Sequence, residues 1–300
     1  MRIGLLGTGP WARRVHAPAL AAHPGFEFAG LCGRNAEAAS ALAEAHGVPS
    51  YPDPEKLFAD VDAVSVALPP SVQAGFAVRA AEAGCHLLLD KPVALTVPDA
   101  RAVHAAVERA GTASVVFFTL RFGAGQASWL AEQTARGGWF TAHCQWLGAV
   151  FTAADSPYAA SAWRLEKGAL WDVGPHALSV LLPVLGAAVR VTAVAGPGDT
   201  VHLVLGHASG ASSTLTLSLT APPAAAAGGV GLELRGEAGA ARLPERSESP
   251  AAAFGRALDA LALAAGGGAA HPCGSAFGLE VVEVLAAAEE ALRTGAAVLL

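Results

Sequence analysis

The sequence predicts an α/β fold: an N-terminal doubly wound parallel sheet, then a C-terminal α/β domain whose sheet is largely antiparallel and open on one face. Three observations carry this. Short apolar runs alternate with helix-compatible segments through the first 118 residues. A glycine turn interrupts the first of these runs. From residue 189 the runs follow one another directly and switch to period-two alternation.

The first run is Ile3, Leu5 and Leu6, an apolar strand that breaks at Gly7-Thr8-Gly9. Pro10 then opens an alanine-rich helical segment through Trp11 and Ala12. Gly7-x-Gly9-x-x-Ala12 in this strand, turn and helix context is a dinucleotide-binding fingerprint. Gly7 permits the tight turn, Gly9 lets the backbone approach a pyrophosphate, and Ala12 lets the helix pack on the strand. Pro10 suits a first helical position, where the missing N–H has no intrahelical partner. The free N–H groups and the positive end of the helix dipole then face the phosphates. Gly-rich turns also serve plain strand-to-helix packing, and position at the head of a strand–helix series favours the cofactor reading.

The alternation continues with strand 26–32 and helix 36–46, strand 61–68 and a helix to about Ala83, strand 86–89 and helix 97–110, and strand 113–118. Its end near Thr119 divides the chain into a dinucleotide-binding domain, 1–118, and a second domain, 119–300. In the second domain the spacing predicts strand 139–148, helix 168–185, and strands 189–195, 200–207, 212–220, 230–235 and 240–243. Val201, Leu203 and Leu205 share one face, as do Leu215, Leu217 and Leu219. Thr214, Thr216, Ser218 and Thr220 form the opposite, polar face. Helices 251–265 and 275–294 close the chain, the latter ended by Gly295, and the Ala/Gly/Pro runs 221–229 and 264–270 read as flexible loops.

Composition narrows the function. With 300 residues the chain has room for two cores, and it is 53% hydrophobic and 15% charged. A net charge of −6 provides no broad basic surface, which argues against a nucleic-acid partner. No run approaches the ~18 apolar residues of a membrane span, and the start lacks a cationic segment with a cleavage site, so a cytoplasmic location without membrane attachment is expected. Cys32, Cys85, Cys144 and Cys273 are widely spaced and read as reduced structural thiols.

The end of the second strand bears on ribose recognition. An NAD site places Asp or Glu there to accept from the 2′-hydroxyl. This chain has Gly33-Arg34-Asn35, so the carboxylate is absent and Arg34 presents a guanidinium able to pair with a 2′-phosphate. NADP(H) is favoured, with NAD(H) possible. The competing reading is a solvated arginine at a helix start.

Two further motifs bear on chemistry: Asp90-Lys91-Pro92 after an apolar strand, and Asp172-Val173-Gly174-Pro175-His176 in an apolar helix. Asp172 and His176 are four apart and share one helical face. Lys91 sits at the carboxyl end of a strand, the edge where open α/β sheets bind ligands. Taken alone these residues also fit an i,i+4 surface pair and a solvated loop lysine, and no third and fourth ligand at metal spacing accompanies them.

Taken with the glycine turn and with Ala67-Leu68-Pro69-Pro70, these motifs resemble the Gfo/Idh/MocA oxidoreductases over essentially the whole chain. The resemblance implies that Leu68, Pro69, Pro70, Asp90, Lys91 and Pro92 line the cofactor with Gly7–Ala12 and Gly33–Asn35. It also implies that Lys91, Asp172 and His176 meet beside the nicotinamide. His176, with an unperturbed pKa of about 6.5, would carry the proton. Lys91 would hydrogen-bond the reacting oxygen, and Asp172 would orient the substrate or His176. Asp90 departs from the family's usual glutamate, Gln73 stands where a histidine is frequent, and Glu166-Lys167-Gly168 replaces a common triple glycine. Arg121, Trp163 and Arg164, the latter two in the loop before the helix, are candidate substrate contacts, with an interdomain salt bridge as the other reading of Arg121. Trp11 and Trp171 border the motifs and read as a wall of the site or as core.

The resemblance implies an oxidoreductase acting on a sugar, inositol or related polyol, and Arg34 favours NADP(H) as its cofactor. Reduction of a non-sugar carbonyl or imine, or conversion of a trans-dihydrodiol, is the alternative chemistry, and a cofactor-binding protein without turnover is the alternative class. The resemblance also implies that residues 119–300 bind substrate and associate through the open sheet face, as a homodimer or homotetramer.

Overall fold

The computed structural model describes residues 1–154 and 156–300. They form two compact units, Met1–Phe122 with Glu248–Glu280, and Gly123–Ser247 with Val281–Leu300.

The first unit begins with β1 (Arg2–Leu6), a π-helical turn (Ala12–His16) continuing into α1 (Ala17–Ala22), β2 (Glu27–Cys32) and α2 (Ala36–His46). Next come β3 (Ser50–Tyr51), α3 (Pro54–Asp60), β4 (Ala63–Val66) and α4 (Pro70–Glu82). β5 (His86–Asp90), α5 (Val97–Ala110), β6 (Ser114–Phe117) and the short α6 (Thr119–Phe122) follow. All the strands are parallel, in the order β3-β2-β1-β4-β5-β6. Helices cover both faces of such a sheet, so its strands read as unbroken apolar runs: Leu5, Val64, Leu87, Leu88 and Leu89 are completely buried. The strand expected at 61–68 is trimmed to Ala63–Val66, because Pro69 and Pro70 have no N–H for a ladder. β3 and α3 lie in a stretch whose short, mixed sequence carries little periodicity. Asp53 caps α3 by accepting from the Glu55 N–H at 3.0 Å.

The second unit contains α7 (Ala124–Arg136), β7 (Trp139–Leu147), α8 (Ala162–Asp172), α9 (Gly174–Leu185) and β8 (Ala188–Ala195). β9 (Val201–His207), β10 (Ser212–Ser218), β11 (Val230–Gly236) and β12 (Gly239–Arg242) complete its main sheet. After these come α10 (Pro250–Ala265), α11 (Ser275–Thr294) and the edge strand β13 (Val298–Leu299). The sheet order is β12-β11-β7-β10-β9-β8-β13, antiparallel except that β10 pairs with β7 in parallel. Val201, Leu203, Leu205, Leu215, Leu217 and Leu219 are buried as their alternation requires. On the opposite face Val194 and Val204 stay 63% and 51% exposed, and His143 and His202 hydrogen-bond Thr214 and Thr216. All four cysteines are free and buried.

Several elements differ from the sequence reading. The sequence division ends the first unit at residue 118, but the chain re-enters it through α10, whose Phe254, Ala257, Leu258 and Leu261 are fully buried. These side chains pack on β5, β6 and α1, so an apolar stripe far along the chain completes an early core. The helix expected over 168–185 starts instead at Ala162, which brings Trp163 and Arg164 out of a loop and into the first turn of α8. Gly168 then kinks it at φ 61°, a left-handed backbone that a residue with a Cβ adopts only under strain. The run 221–229 holds a 3-10 turn at Pro223–Ala225, and Ala264 and Ala265 belong to the end of α10. Among the described residues one helical stretch, Ala162–Leu185, is apolar and long enough to cross a membrane; 83% of its apolar window is buried inside the protein, as in a core helix.

Ser218 and Thr220, expected on the open polar face, are engaged by Asp199 instead. Its carboxylate accepts from the Leu219 and Thr220 N–H groups and from both hydroxyls, at 2.8–3.0 Å. Its other oxygen accepts from the Ala169 N–H at 3.0 Å, immediately after the Gly168 kink. One side chain thus ties the start of the second half of α8 to the end of β10. Asp199→Ala leaves at least three N–H groups to find new partners and should cost about 2–4 kcal/mol in urea unfolding, with a loss below about 0.5 kcal/mol contradicting this account.

His16 lies in the core of the first unit at 0% exposure, hydrogen-bonded to Ser65 at 2.8 Å and 4.2 Å from the Phe254 ring. Burial pushes its pKa down to about 3. His271 is lowered to about 4, first by burial and then by the nearby Arg121 charge. Both are neutral in the folded protein, whereas the unfolded chain takes up protons below about pH 6.5. Their stability contribution is complete above that pH and declines from there toward pH 4 and then pH 3. Chemical denaturation should show a loss of about 2 kcal/mol from pH 7 to pH 5 attributable to His16 alone, and His16→Gln should flatten that slope.

Candidate active site

The doubly wound order of the first unit reverses between β1 and β4, and the loops after their carboxyl ends flank that switch point. Gly7 follows β1 with φ 115°, and its N–H donates to the Cys32 carbonyl at 2.9 Å. A Cβ on Gly7 would collide with the Ala67 carbonyl at the end of β4, so the two loops touch where only a glycine fits. A Cβ on Gly9, by contrast, would meet nothing within 4 Å. Pro10 is the first helical residue, as expected, and Ala12 is fully buried against the sheet.

The turn is held by a residue that the motif does not contain. Arg13 donates from Nε to the Thr8 carbonyl at 2.9 Å. The Thr8 methyl lies where a Cβ on Gly33 would stand, so the turns after β1 and β2 pack on each other through a glycine. Arg34 is exposed at the mouth of that second turn. Asn35, expected among the cofactor contacts, uses its side-chain oxygen to cap α2, accepting from the Ala38 N–H at 2.8 Å.

These features fit a dinucleotide. The space beside Gly9 adjoins a helix N-terminus, where backbone N–H groups lack intrahelical partners. The Trp11 indole N–H is buried without a hydrogen-bond partner, a donor at the same turn. Gly7–Ala12 and Gly33–Arg34 are therefore the residues that would hold the pyrophosphate and adenosine ribose.

At the same sheet edge β5 ends in Asp90, followed by Lys91 and a cis peptide bond to Pro92. The Asp90 carboxylate folds back and accepts from the Lys91 N–H at 2.9 Å. Gln73, on α4 and buried, donates to the Asp90 carbonyl at 2.7 Å and accepts from the Asp90 N–H at 3.1 Å. The lysine loop is thus pinned by its own aspartate and by the neighbouring helix. Leu68 and Pro69 lie in the connection from β4 to that helix, which begins at Pro70. Elsewhere in this unit Arg121 lies 5.3 Å above the Phe277 ring, and His271 stacks on Phe122.

In the second unit Asp172 ends α8 and His176 lies in the first turn of α9, separated by the turn at Val173. Both are buried, at 8% and 9% exposure, which sets aside the surface-pair reading. Arg164 pairs with Asp172 at 3.1 Å and donates to the Ser161 hydroxyl at 3.2 Å. The rings of Tyr158 and Trp163 lie 4.7 and 4.5 Å from its guanidinium, restricting it further. The His176 imidazole stacks on Trp146 of β7 with ring centres 5.4 Å apart, and the Ser179 hydroxyl donates to the His176 carbonyl at 2.7 Å. Lys167, just before the kink, also has structural partners: it pairs with Glu289 at 2.9 Å and lies over the buried Trp171 ring. Among the described residues no group of His, Cys, Asp and Glu is placed to hold a metal.

Comparison with known proteins agrees with this architecture. Residues 1–118 match the oxidoreductase family with an NAD-binding Rossmann fold, and residues 140–242 match the GFO/IDH/MocA C-terminal domain. The chain is 30% identical over 240 residues to D-xylose 1-dehydrogenase (NADP(+)) 2 of Haloferax volcanii, covering 74% of this chain and 70% of that one. It is 33% identical over 211 residues to dTDP-3,4-didehydro-2,6-dideoxy-alpha-D-glucose 3-reductase of Streptomyces violaceoruber, a match spanning 67% of this chain but 59% of the reductase. The crystal structure of aldose-aldose oxidoreductase from Caulobacter crescentus superposes with a TM-score of 0.83 at 26% identity, over 100% of this chain and 99% of that one. Levoglucosan dehydrogenase, at 21% identity and a TM-score of 0.86 over 100% of this chain and 99% of that one, shares the fold. The chain belongs to the Gfo/Idh/MocA family.

Proposed function

We propose that this chain is a nicotinamide-dependent oxidoreductase moving a hydride between its cofactor and a hydroxyl or carbonyl carbon of a sugar, inositol or related polyol. The observation that carries the proposal is the shared sheet edge: the glycine turn after β1, the proline turn after β4 and Lys91 after β5 all emerge at carboxyl ends of neighbouring strands. The relatives named for D-xylose and a dTDP-linked deoxysugar support the substrate class.

When bound, the nicotinamide supplies the hydride acceptor or donor. The remaining work falls to side chains. His176 takes the hydroxyl proton on its neutral ring during oxidation and returns it during reduction. Lys91 donates a hydrogen bond to the reacting oxygen and stabilises negative charge as it develops. Asp172, held by Arg164, orients His176 or a substrate hydroxyl. Trp163 and Arg164, in the first turn of α8, are proposed substrate contacts, and Arg164 pairs with Asp172. Arg121 is a weaker candidate for substrate contact, since its guanidinium lies over Phe277.

NADP(H) is the proposed cofactor. Arg34 is exposed where the second strand ends, and no carboxylate occupies Gly33–Asn35 to accept from a 2′-hydroxyl. Fluorescence titration should give tighter binding of NADPH than NADH, and Arg34→Ala should weaken NADPH at least tenfold while leaving NADH within about threefold. Equal effects on the two would overturn the assignment. Purified protein should oxidise at least one member of a panel of D-xylose, D-glucose, myo-inositol and levoglucosan with NADP+, and Lys91→Ala should lower kcat by about a hundredfold or more. Absence of turnover with the whole panel in both directions would favour a cofactor-binding role instead.

The exposed face of the second sheet, with Val194, Val204, His143 and Thr214, supports self-association as a homodimer or homotetramer. Sedimentation velocity should show a species larger than the 30.0 kDa monomer; a monomer at every concentration would refute it.

A further inference from the structure

Gln73 is almost completely buried, at 1% exposure, and its side chain is directed at one stretch of backbone. Nε2 donates toward the carbonyls of Asp90 at 2.7 Å, Pro92 at 3.0 Å and Val93 at 3.3 Å. Oε1 accepts from the Asp90 N–H at 3.1 Å. The contacts bracket Lys91 on both sides. The helix that carries Gln73 is itself fixed at its start, where the Val72 and Gln73 N–H groups donate to the Pro69 carbonyl at 3.0 Å.

We infer that Gln73 is a positioning residue that holds the Asp90–Val93 backbone so that Lys91 meets the reacting oxygen; this rests on the role proposed for Lys91 above. The chemistry of the side chain is specific. A primary amide combines an acceptor with two donor hydrogens on one planar group, and this loop presents an N–H and three carbonyls to it. Leucine fills the same space and leaves those groups without the partner. Glutamate, when ionised, sets a negative oxygen against the three carbonyls, and it regains a donor only by binding a proton.

The test compares Gln73→Leu, Gln73→Glu and Lys91→Ala in the full chain, with thermal unfolding to confirm folding. It reads NADPH affinity, kcat and KM for the panel sugar turned over fastest, and amide hydrogen exchange of the loop 87–95. Gln73→Leu should lose about a hundredfold in kcat, with any loss of NADPH affinity smaller than that, since Asp90, Lys91 and Pro92 are also expected to line the cofactor. The Asp90 amide should exchange faster in both variants. Gln73→Glu should recover rate relative to the parent as the pH falls from about 8 to about 6, a dependence a general packing defect does not produce. If Gln73→Leu does not fold, the loop exchange and pH profile of Gln73→Glu decide. Unchanged loop exchange overturns the inference, as does a rise in cofactor Kd and KM with kcat intact. A fully active Gln73→Leu beside an inactive Lys91→Ala would remove only the positioning role, whereas turnover retained in Lys91→Ala would remove the role of Lys91 itself.

Discussion

Where β1 ends there is no room for a side chain, because the Ala67 carbonyl of the β4 loop occupies the place a Cβ on Gly7 would take. That close approach brings together the loops that follow two neighbouring parallel strands, at the point where the strand order turns back. The space beside Gly9, the first helix beginning at Pro10 and the α4 helix beginning at Pro70 all radiate from it. The loop after β5 then follows one strand over, within reach of Gln73. A methyl group at residue 7 would push apart the elements on which this half of the chemistry depends.

Polar side chains fix the loops at this edge and the kinked helix of the second unit, Gln73 from a buried position and the others from exposed or half-buried ones. Gln73 holds the lysine loop, Arg13 holds the glycine turn, and Asp199 and Arg164 do the same for the two ends of the second half of α8. Gln73, Arg13 and Asp199 each bond backbone groups, and Arg164 bonds the Asp172 carboxylate. In both units, side chains proposed to act on substrate are supported by residues that have no chemical part in the reaction.

Legibility in the sequence followed the range of the interaction. The parallel sheet was visible because strands buried on both faces must be apolar throughout, as Leu87–Leu89 are. The second sheet was visible because one open face forces alternation, as at Leu203 and Leu205. The glycine turn could be read because its geometry is set within a few residues of chain, whereas the turn at Val173 that puts Asp172 and His176 on different helices could not. The π-helical turn at Ala12–His16, β3 and the parallel pairing of β10 with β7 have no comparable local signature.

Local pattern by itself therefore determined the two kinds of sheet, most helices, and the residue types that could hold a dinucleotide and move a proton. Tertiary structure decided what those residues touch. Asp199 sits in a Gly-Pro-Gly-Asp-Thr stretch that reads only as a turn, yet it secures an amide 30 positions away. Gln73 reads as a departure from a family pattern and proves to be the clamp on Asp90. Phe254 reads as one apolar helix position and closes the core around His16. Hydropathy and turn chemistry are properties of neighbouring residues, whereas a hydrogen bond across 30 or more residues depends on where the whole chain has already placed its two ends.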